Sequence, residues 1–275
     1  MNKLGGESNI SNICDKNTTM NSRLFSADMK LADVIHADYS LLLLLHRFGL
    51  NLGFGDKTVK ECCEANHVSC PLFLMICNVY SNEAYLPTDK EIERIGPDVD
   101  QLIAYLKNSH DYYLNSRMCV IEEQLKEISE NCEEHHKKIL HLFFNEYKNE
   151  VIRHFAYEED TVFPYISGIV HVTPALLFIT RNTVFPYISG IVHGSRSGNY
   201  EIEEFKENHS NIDDKLNDLK NIIMKYLQGD ALSEMRIRVL FGIFSLEEDL
   251  SKHSLIEDKI LIPLVKKLEQ QYGKQ

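Results

Sequence analysis

His253-Ser-Leu-Ile-Glu257-Asp-Lys-Ile-Leu-Ile-Pro263 and His154-Phe-Ala-Tyr-Glu158-Glu-Asp-Thr-Val-Phe-Pro164 are near-copies of one another, ninety-nine residues apart. In each stretch a Glu follows the His by four residues and a Pro follows it by ten. On an α-helix, residues four apart lie above one another on the same face. Each stretch therefore directs an imidazole and a carboxylate at one place, and together they predict a two-metal site.

Two further histidines extend this pattern. His110 precedes the first copy by 44 residues, and His209 precedes the second by the same interval. The midpoints of the two intervals, Cys132 and Ala231, lie in polar, turn-like stretches. In a hairpin of antiparallel helices, residues equidistant from the turn lie at the same level. The candidate metal ligands are therefore His110, His154, Glu158, His209, His253 and Glu257.

Helical periodicity dominates the chain after Pro97, where β-strand signals are absent. Four long stretches carry this periodicity, at residues 98–130, 134–168, 200–228 and 233–271. They predict an all-α fold in which an antiparallel four-helix bundle occupies residues 97–272.

The N-terminal part predicts a smaller helical unit. Residues 1–22 are polar and without periodicity, which predicts a disordered lead-in. Residues 23–86 predict a small helical domain, in which Thr58 and Glu61 have the spacing of a capping box. Pro and Gly residues within 81–97 place the domain boundary there.

Eleven residues occur twice without change, at Thr161–His171 and Thr183–His193. Such identity indicates a recent tandem duplication or an artefact of how the sequence was assembled. The resulting insert, 171–193, lies between the second and third long helices and outside both 44-residue intervals. We therefore expect it to extend that connection without dismantling the bundle.

Composition excludes several classes of protein. A net charge of −12 argues against nucleic-acid binding, and 44% hydrophobic residues are enough for a core in 275 residues. The longest apolar run, Leu41–Leu45, is too short to span a membrane, and the N-terminal residues lack the apolar segment of a signal peptide. Seven cysteines without CxxC spacing favour reduced thiols. We expect a cytoplasmic protein.

The donor types indicate which metal the site holds. Several imidazoles with few carboxylates suit a redox-active transition metal, and iron pairs are known in helical bundles. A ferritin-type Glu-x-x-His occurs once, at Glu133 and His136 near a turn, which disfavours a ferritin-like plan. Five other histidines are interpreted as ordinary polar residues, because they have no symmetric partner or lie in the duplicated segment: His135, His136, His141, His171 and His193.

These residues resemble those of the hemerythrin-like superfamily, and more narrowly the iron–sulfur cluster repair proteins of the RIC/ScdA type, over residues 29–271. Asp213, four residues after His209, stands where oxygen-carrying hemerythrins have a His. Symmetry with Glu158 favours Glu257 over Asp258 as a ligand. The small domain departs from the family, because Leu52, Gly53 and Phe54 occupy the region of its Cys pair.

The resemblance implies a non-haem di-iron centre and a role in repairing iron–sulfur clusters damaged by nitrosative or oxidative stress. It implies iron–sulfur proteins as clients and O2 or NO as small ligands. The alternatives are a gas-sensing or gas-binding module, a small NO-reducing oxidoreductase, and a metal-free helical adaptor. Apolar surface on the small domain is compatible with a homodimer. Helical spacing adds Tyr113, Tyr147 and Glu150 as candidates to orient ligands or supply protons.

Overall fold

The computed structural model describes residues 24–130, 132–171, 215–227 and 233–272. Within these ranges the chain is helical and contains no β-strand, although Lys30 and Thr58 form an isolated bridge. The all-α prediction is therefore confirmed for these ranges. The predicted lead-in, residues 1–22, and nearly all of the duplicated insert, residues 172–193, lie outside them.

Short helices make up the N-terminal part of the chain. Their bounds are α1 Leu31–Ala37, α2 Leu42–Arg47, α3 Val59–Ala65, α4 Cys70–Ser81 and α5 Asp89–Arg94.

Local sequence signals explain where several of these helices begin and end. The predicted capping box at Thr58 and Glu61 is present and begins α3. Gly49 follows α2 with φ of 70°, which suits the left-handed end of a helix. A second capping box, at Thr88 and Glu91, begins α5 inside the segment that the Pro and Gly residues marked as a boundary. The division into two domains stays a prediction.

The remaining helices are longer, and several continue through a π-helical turn. Their bounds are α6 Val99–Tyr112, a π turn Tyr113–Arg117 and α7 Met118–Ser129; α8 Glu134–Tyr157, a π turn Glu158–Val162 and α9 Phe163–His171; α10 at 215–221 and a π turn Ile222–Tyr226; and α11 Ser233–Ile256, a π turn Glu257–Leu261 and α12 Ile262–Tyr272. The first, second and fourth predicted long helices agree with these bounds within a few residues. The third is described only from residue 215.

In the described ranges, buried apolar residues form two clusters. One joins the N-terminal helices to α6, α9, α12 and the end of α11. The other lies among α7, α8, α10 and most of α11, where α7 packs against both α8 and α11. The clusters meet near residues 106–113, 155–162 and 246–256. The candidate ligands that the structure describes lie at this junction: His110, His154, Glu158, His253 and Glu257.

A buried ion pair ties the N-terminal helices to α11. The Arg47 guanidinium donates to both carboxylate oxygens of Asp249, at 3.0 and 2.5 Å. The Tyr80 hydroxyl also donates to Asp249, at 2.7 Å. The Arg47 and Asp249 side chains are only 1% and 5% exposed. The pair therefore lies inside the protein, one helical turn before His253.

None of the described helices is both long enough and apolar enough to cross a bilayer.

Candidate metal centre

Four buried side chains converge where the two apolar clusters meet. His110 lies near the end of α6, Glu158 begins the π turn after α8, and His253 and Glu257 lie on either side of the end of α11. One potential ligand atom from each lies within 4.8 Å of the others. Their side chains could hold a metal ion.

The distances agree with the spacing argument. His154 Nε2 lies 3.2 Å from a Glu158 oxygen, and His253 Nε2 lies 3.2 Å from a Glu257 oxygen. Each predicted His-x-x-x-Glu pair therefore faces one place. His110 Nε2 lies 3.2 Å from the other Glu158 oxygen, so residues 110 and 154 do stand at one level.

The first repeat, with His110, also contacts the second repeat, with His253. His110 Nε2 and His253 Nε2 are 3.2 Å apart, although 143 residues separate them in sequence. The structure thus brings together five of the six predicted ligands. The sixth, His209, and the second turn midpoint, Ala231, lie outside the described residues. Glu257 is 4% exposed whereas Asp258 is exposed, which agrees with the choice of Glu257.

Several polar atoms of this cluster have no hydrogen-bond partner. They are Glu158 Oε2, both carboxylate oxygens of Glu257 and Nδ1 of His253, all buried. Leaving one such group unsatisfied costs about 1–3 kcal/mol, and more if it is charged. A cation between the carboxylates would compensate for this cost, so the residues fit a bound metal.

Electrostatics prepare the His110 imidazole as a ligand. Burial, and then the neighbouring His253 ring, lower the pKa of His110 to about 2. His110 is therefore neutral at physiological pH, and a neutral imidazole is the form that binds a metal.

The two carboxyl groups shift in opposite directions. Burial, together with the nearby Glu257 carboxylate, raises the pKa of Glu158 well above its ordinary value. Burial by itself would raise the pKa of Glu257 as well, but the imidazoles of His253 and His154 outweigh it and lower the pKa to about 2. The two buried carboxyl groups therefore oppose each other's ionisation, and a cation between them would favour the ionised form of both.

Glu159 supports the site from the side. Its carboxylate accepts a hydrogen bond of 2.8 Å from Nδ1 of His110. A carboxylate on one ring nitrogen fixes the tautomer and directs the other nitrogen to the metal. Glu159 is not predicted by the helical spacing, because its only signal in the sequence is its position next to Glu158.

Aromatic rings wall the cluster. Phe155 stacks on His110 with ring centroids 3.9 Å apart and an angle of 7°. Phe163 lies on the same imidazole at 5.8 Å. Tyr113 meets His253 edge-on at 5.7 Å, and its hydroxyl donates to the backbone carbonyl of Asp249 at 3.1 Å. These rings limit access to small molecules.

The three candidate supporting residues have different surroundings. Tyr113 is buried beside the cluster, as expected. Tyr147 is buried in the apolar cluster among α7, α8, α10 and α11. Glu150 forms an ion pair with Lys215. Among the ring contacts of the described residues, Tyr113 is the one of these three that meets a candidate ligand, His253.

A second group of potential ligands lies at the turn between α7 and α8. It consists of Glu133, His135 and His136, of which the first two are exposed. It contains the Glu and His of the ferritin-type pattern. Exposed groups of this kind are common without a metal. Water can solvate these side chains, whereas the side chains of the first cluster are buried. The buried cluster is the better candidate centre.

Comparisons of this chain with protein-family models, with curated proteins and with solved structures found no match.

Proposed function

We propose that this chain is a hemerythrin-like metalloprotein that holds two iron ions inside an antiparallel four-helix bundle. The four bundle helices are α6–α7, α8–α9, the helix that contains α10, and α11–α12. Packing of α7 against α8 and α11, and of α9 against α12 and α6, supports this arrangement. The observation that carries the proposal is the convergence of two imidazoles and two hydrogen-bond-deficient carboxylates in a buried layer.

The metal ligands in this proposal are His110, His154, Glu158, His209, His253 and Glu257. Glu158 lies 3.2 Å from imidazoles of two different helices, and Glu257 lies 3.2 Å from the imidazole of His253. These carboxylates would therefore hold the ions together with the imidazoles. A mixed imidazole and carboxylate set favours iron over the harder cations, which prefer oxygen alone.

An iron pair in this layer would supply reversible binding and electron exchange with O2 or NO. The protein contributes the rest. Glu159 holds the His110 ring so that Nε2 faces the centre. Phe155 and Phe163 exclude water from the His110 side, and a dry wall strengthens the electrostatic attraction between the carboxylates and a cation.

The biological role that we propose is repair of iron–sulfur clusters damaged by nitrosative or oxidative stress, with iron–sulfur proteins as clients. The support for this role is the resemblance of the motifs to the RIC/ScdA type. A buried centre with aromatic walls suits small gases better than organic substrates. The same features suit a module that binds or senses O2 or NO, or a small NO reductase.

Metal analysis of the purified protein, with optical spectra of its oxidised and reduced states, tests whether the chain holds two iron ions. We expect about two iron atoms per chain, as in other carboxylate-bridged bundle sites. Glu158→Ala should lose iron, whereas His193→Ala and His136→Ala should keep it. Full iron content in Glu158→Ala, or two manganese ions in the native protein, would contradict the proposal.

Glu159→Gln tests the supporting carboxylate separately. Loss of such a partner typically weakens metal affinity about 10–100-fold. Titration of the metal-free protein with ferrous iron measures this change, and circular dichroism shows whether the fold is kept. Glu248→Gln is a matched control, because that carboxylate lies on α11 but lies outside the candidate ligand set.

The biological role needs its own assay. An iron–sulfur enzyme inactivated by NO should regain activity with the iron-loaded chain and not with Glu158→Ala. Repeated consumption of NO with an electron donor would instead indicate the reductase. Partner binding that changes with the gas ligand, without recovery of the damaged enzyme, would indicate the sensing module.

A further inference from the structure

The turn between α7 and α8 holds three metal-ligating side chains that the buried centre does not use. Glu133 is the residue immediately before α8, and His135 and His136 lie in its first turn. One potential ligand atom of each side chain lies within 4.8 Å of the others. The sequence places Glu133 and His136 at a ligand spacing, and the fold adds the His135 ring to them.

Glu133 turns its carboxylate towards a histidine rather than towards the helix. At the residue before a helix, Ser, Thr, Asp or Asn usually accepts a hydrogen bond from a backbone amide of the first turn. The Glu133 side chain makes no such bond. Its Oε2 instead lies 3.3 Å from Nδ1 of His135. The carboxylate is therefore positioned as a partner of the imidazole.

The separations suit coordination of a single ion. Tetrahedral zinc sites have bonds of about 2.0–2.2 Å to nitrogen and oxygen, so two such ligand atoms lie roughly 3.3–3.6 Å apart. The 3.3 Å between Glu133 and His135 is in this range. The His135 and His136 rings have centroids 3.8 Å apart and an angle of 40° between their planes. The Glu133 and His135 side chains are 78% and 61% exposed, so side-chain rotation alone can close the remaining distance.

The charges around this turn favour a cation. Three carboxylates, those of Glu130, Glu133 and Glu134, lie within five residues of sequence. The start of a helix carries a partial positive charge, which disfavours a cation. At an exposed site this effect is screened by salt, and the neighbouring carboxylates offset it. The position at the start of α8 therefore does not prevent binding.

We propose that Glu133, His135 and His136 bind one divalent late transition-metal ion, represented by Zn²⁺, at the surface of the protein. Two imidazoles and one carboxylate, with a fourth position left to water, are a ligand set known from open zinc sites. Ni²⁺ and Cu²⁺ accept the same donors, whereas Mg²⁺ and Ca²⁺ prefer oxygen ligands. Because the Glu133 and His135 side chains are exposed, the ion exchanges with solution and is lost during purification.

This surface site is separate from the buried centre. From His110 to Ser129, where α7 ends, the helices rise about 30 Å at 1.5 Å per residue. Ions this far apart share no ligand. Glu133 and His136 thus hold a single ion at the turn and do not belong to a di-iron site of the ferritin type. The iron content expected for the buried centre is unaffected.

Calorimetric titration of the iron-loaded protein with ZnCl₂, near neutral pH, tests the surface site. Accessible thiols such as Cys119 are first blocked with N-ethylmaleimide, because thiolates also bind zinc. We expect the native chain to bind one more zinc ion than the double variant His135→Ala with His136→Ala. His36→Ala is the matched control and should keep the ion, because it removes an exposed imidazole of α1 that belongs to neither ligand group.

Two further measurements separate a transition-metal site from an acidic patch. Glu133→Gln should weaken Zn²⁺ binding by at least the roughly 10–100-fold that is typical of losing a supporting residue. A large excess of Mg²⁺ should leave Zn²⁺ in place. Equal zinc binding by the native chain and the double variant, or displacement of zinc by Mg²⁺, would overturn the proposal.

The result does not depend on the buried centre. If that centre takes up no iron, the metal-free native chain should still bind one more zinc ion than the metal-free double variant. Circular dichroism shows whether each variant keeps its helices. Should the double variant unfold, the comparison of the native protein with Glu133→Gln decides the question.

Discussion

Replacing Arg47 by Met should destabilise this protein severely. The guanidinium contacts both oxygens of Asp249, at 3.0 and 2.5 Å, with side chains 1% and 5% exposed. Met keeps much of the apolar stem but leaves the carboxylate buried without its counter-charge. Removing one partner of a buried pair costs about 3–5 kcal/mol. That is a large share of the roughly 5–15 kcal/mol that stabilises an ordinary domain.

Urea unfolding followed by far-ultraviolet circular dichroism measures the change. Lys30→Met is the matched control, because Lys30 pairs with Asp56 on the surface at 52% and 92% side-chain exposure. Exposed pairs contribute only about 0–1 kcal/mol. We therefore expect a large decrease in the free energy of unfolding for Arg47→Met and almost none for Lys30→Met.

The double variant Arg47→Met with Asp249→Leu separates charge from packing. Replacing both members of a buried ion pair by apolar residues is often neutral or stabilising. We expect the double variant to be more stable than Arg47→Met alone, although the Tyr80 hydroxyl then loses its acceptor. An Arg47→Met protein within about 1 kcal/mol of the native one, the range of an exposed pair, would refute this reasoning.

Three further changes test local features by urea or thermal unfolding. Thr88→Ala should cost about 1 kcal/mol at neutral pH, because it removes the N-cap of α5. The Thr88 hydroxyl also donates to the Glu91 carboxylate and lowers its pKa. This second part is complete above the pKa of an ordinary Glu and is lost as pH falls through the lowered pKa of Glu91. Gly55→Ala should cost about 1–2 kcal/mol, because φ is 63°, whereas Gly96→Ala, at an open position without positive φ, should be nearly neutral. Phe144→Ala should cost about 3–5 kcal/mol, because the ring is fully buried.

The buried cluster is predictable from the sequence because its residues recur at regular intervals along the chain. Equal His-to-Glu spacings and equal 44-residue intervals follow directly from helix and hairpin geometry. His110, His154 and Glu158 meet as these rules require. The fold class was accessible for the same reason. Long stretches of regular apolar spacing specify helices whatever their partners are.

Contacts between distant segments were not predictable in this way. Arg47 ends a short apolar helix, and a basic residue there normally interacts with helix carbonyls at the surface. Its partner is 202 residues away. Helix α5 was missed for another reason. It has only six residues, so the capping box Thr88–Glu91 was its one signal, and the neighbouring Pro and Gly residues indicated a linker.

The π turns have a signal of their own in the sequence, in the spacing of the buried positions. His253, Glu257, Leu261 and Val265 are all buried, each four residues after the last. An α-helix repeats about every 3.6 residues, so three steps of four would carry Val265 about 120° away from the His253 face. The π turn Glu257–Leu261 absorbs one extra residue and leaves only about 20° of that rotation.

A π turn occurs in each of the three long helices that carry a described ligand. On α8–α9 the steps of four run from His154 to Ile166 and cross the π turn that begins at Glu158. On α6–α7 the buried residues pass from Tyr113 to Met118, a step of five, just after His110. Runs of four or five between buried positions thus mark where a helix must contain a π turn. Each of these π turns begins at or just after a candidate ligand. The apolar residues before and after the turn therefore stay buried, while the imidazoles and carboxylates keep facing one another.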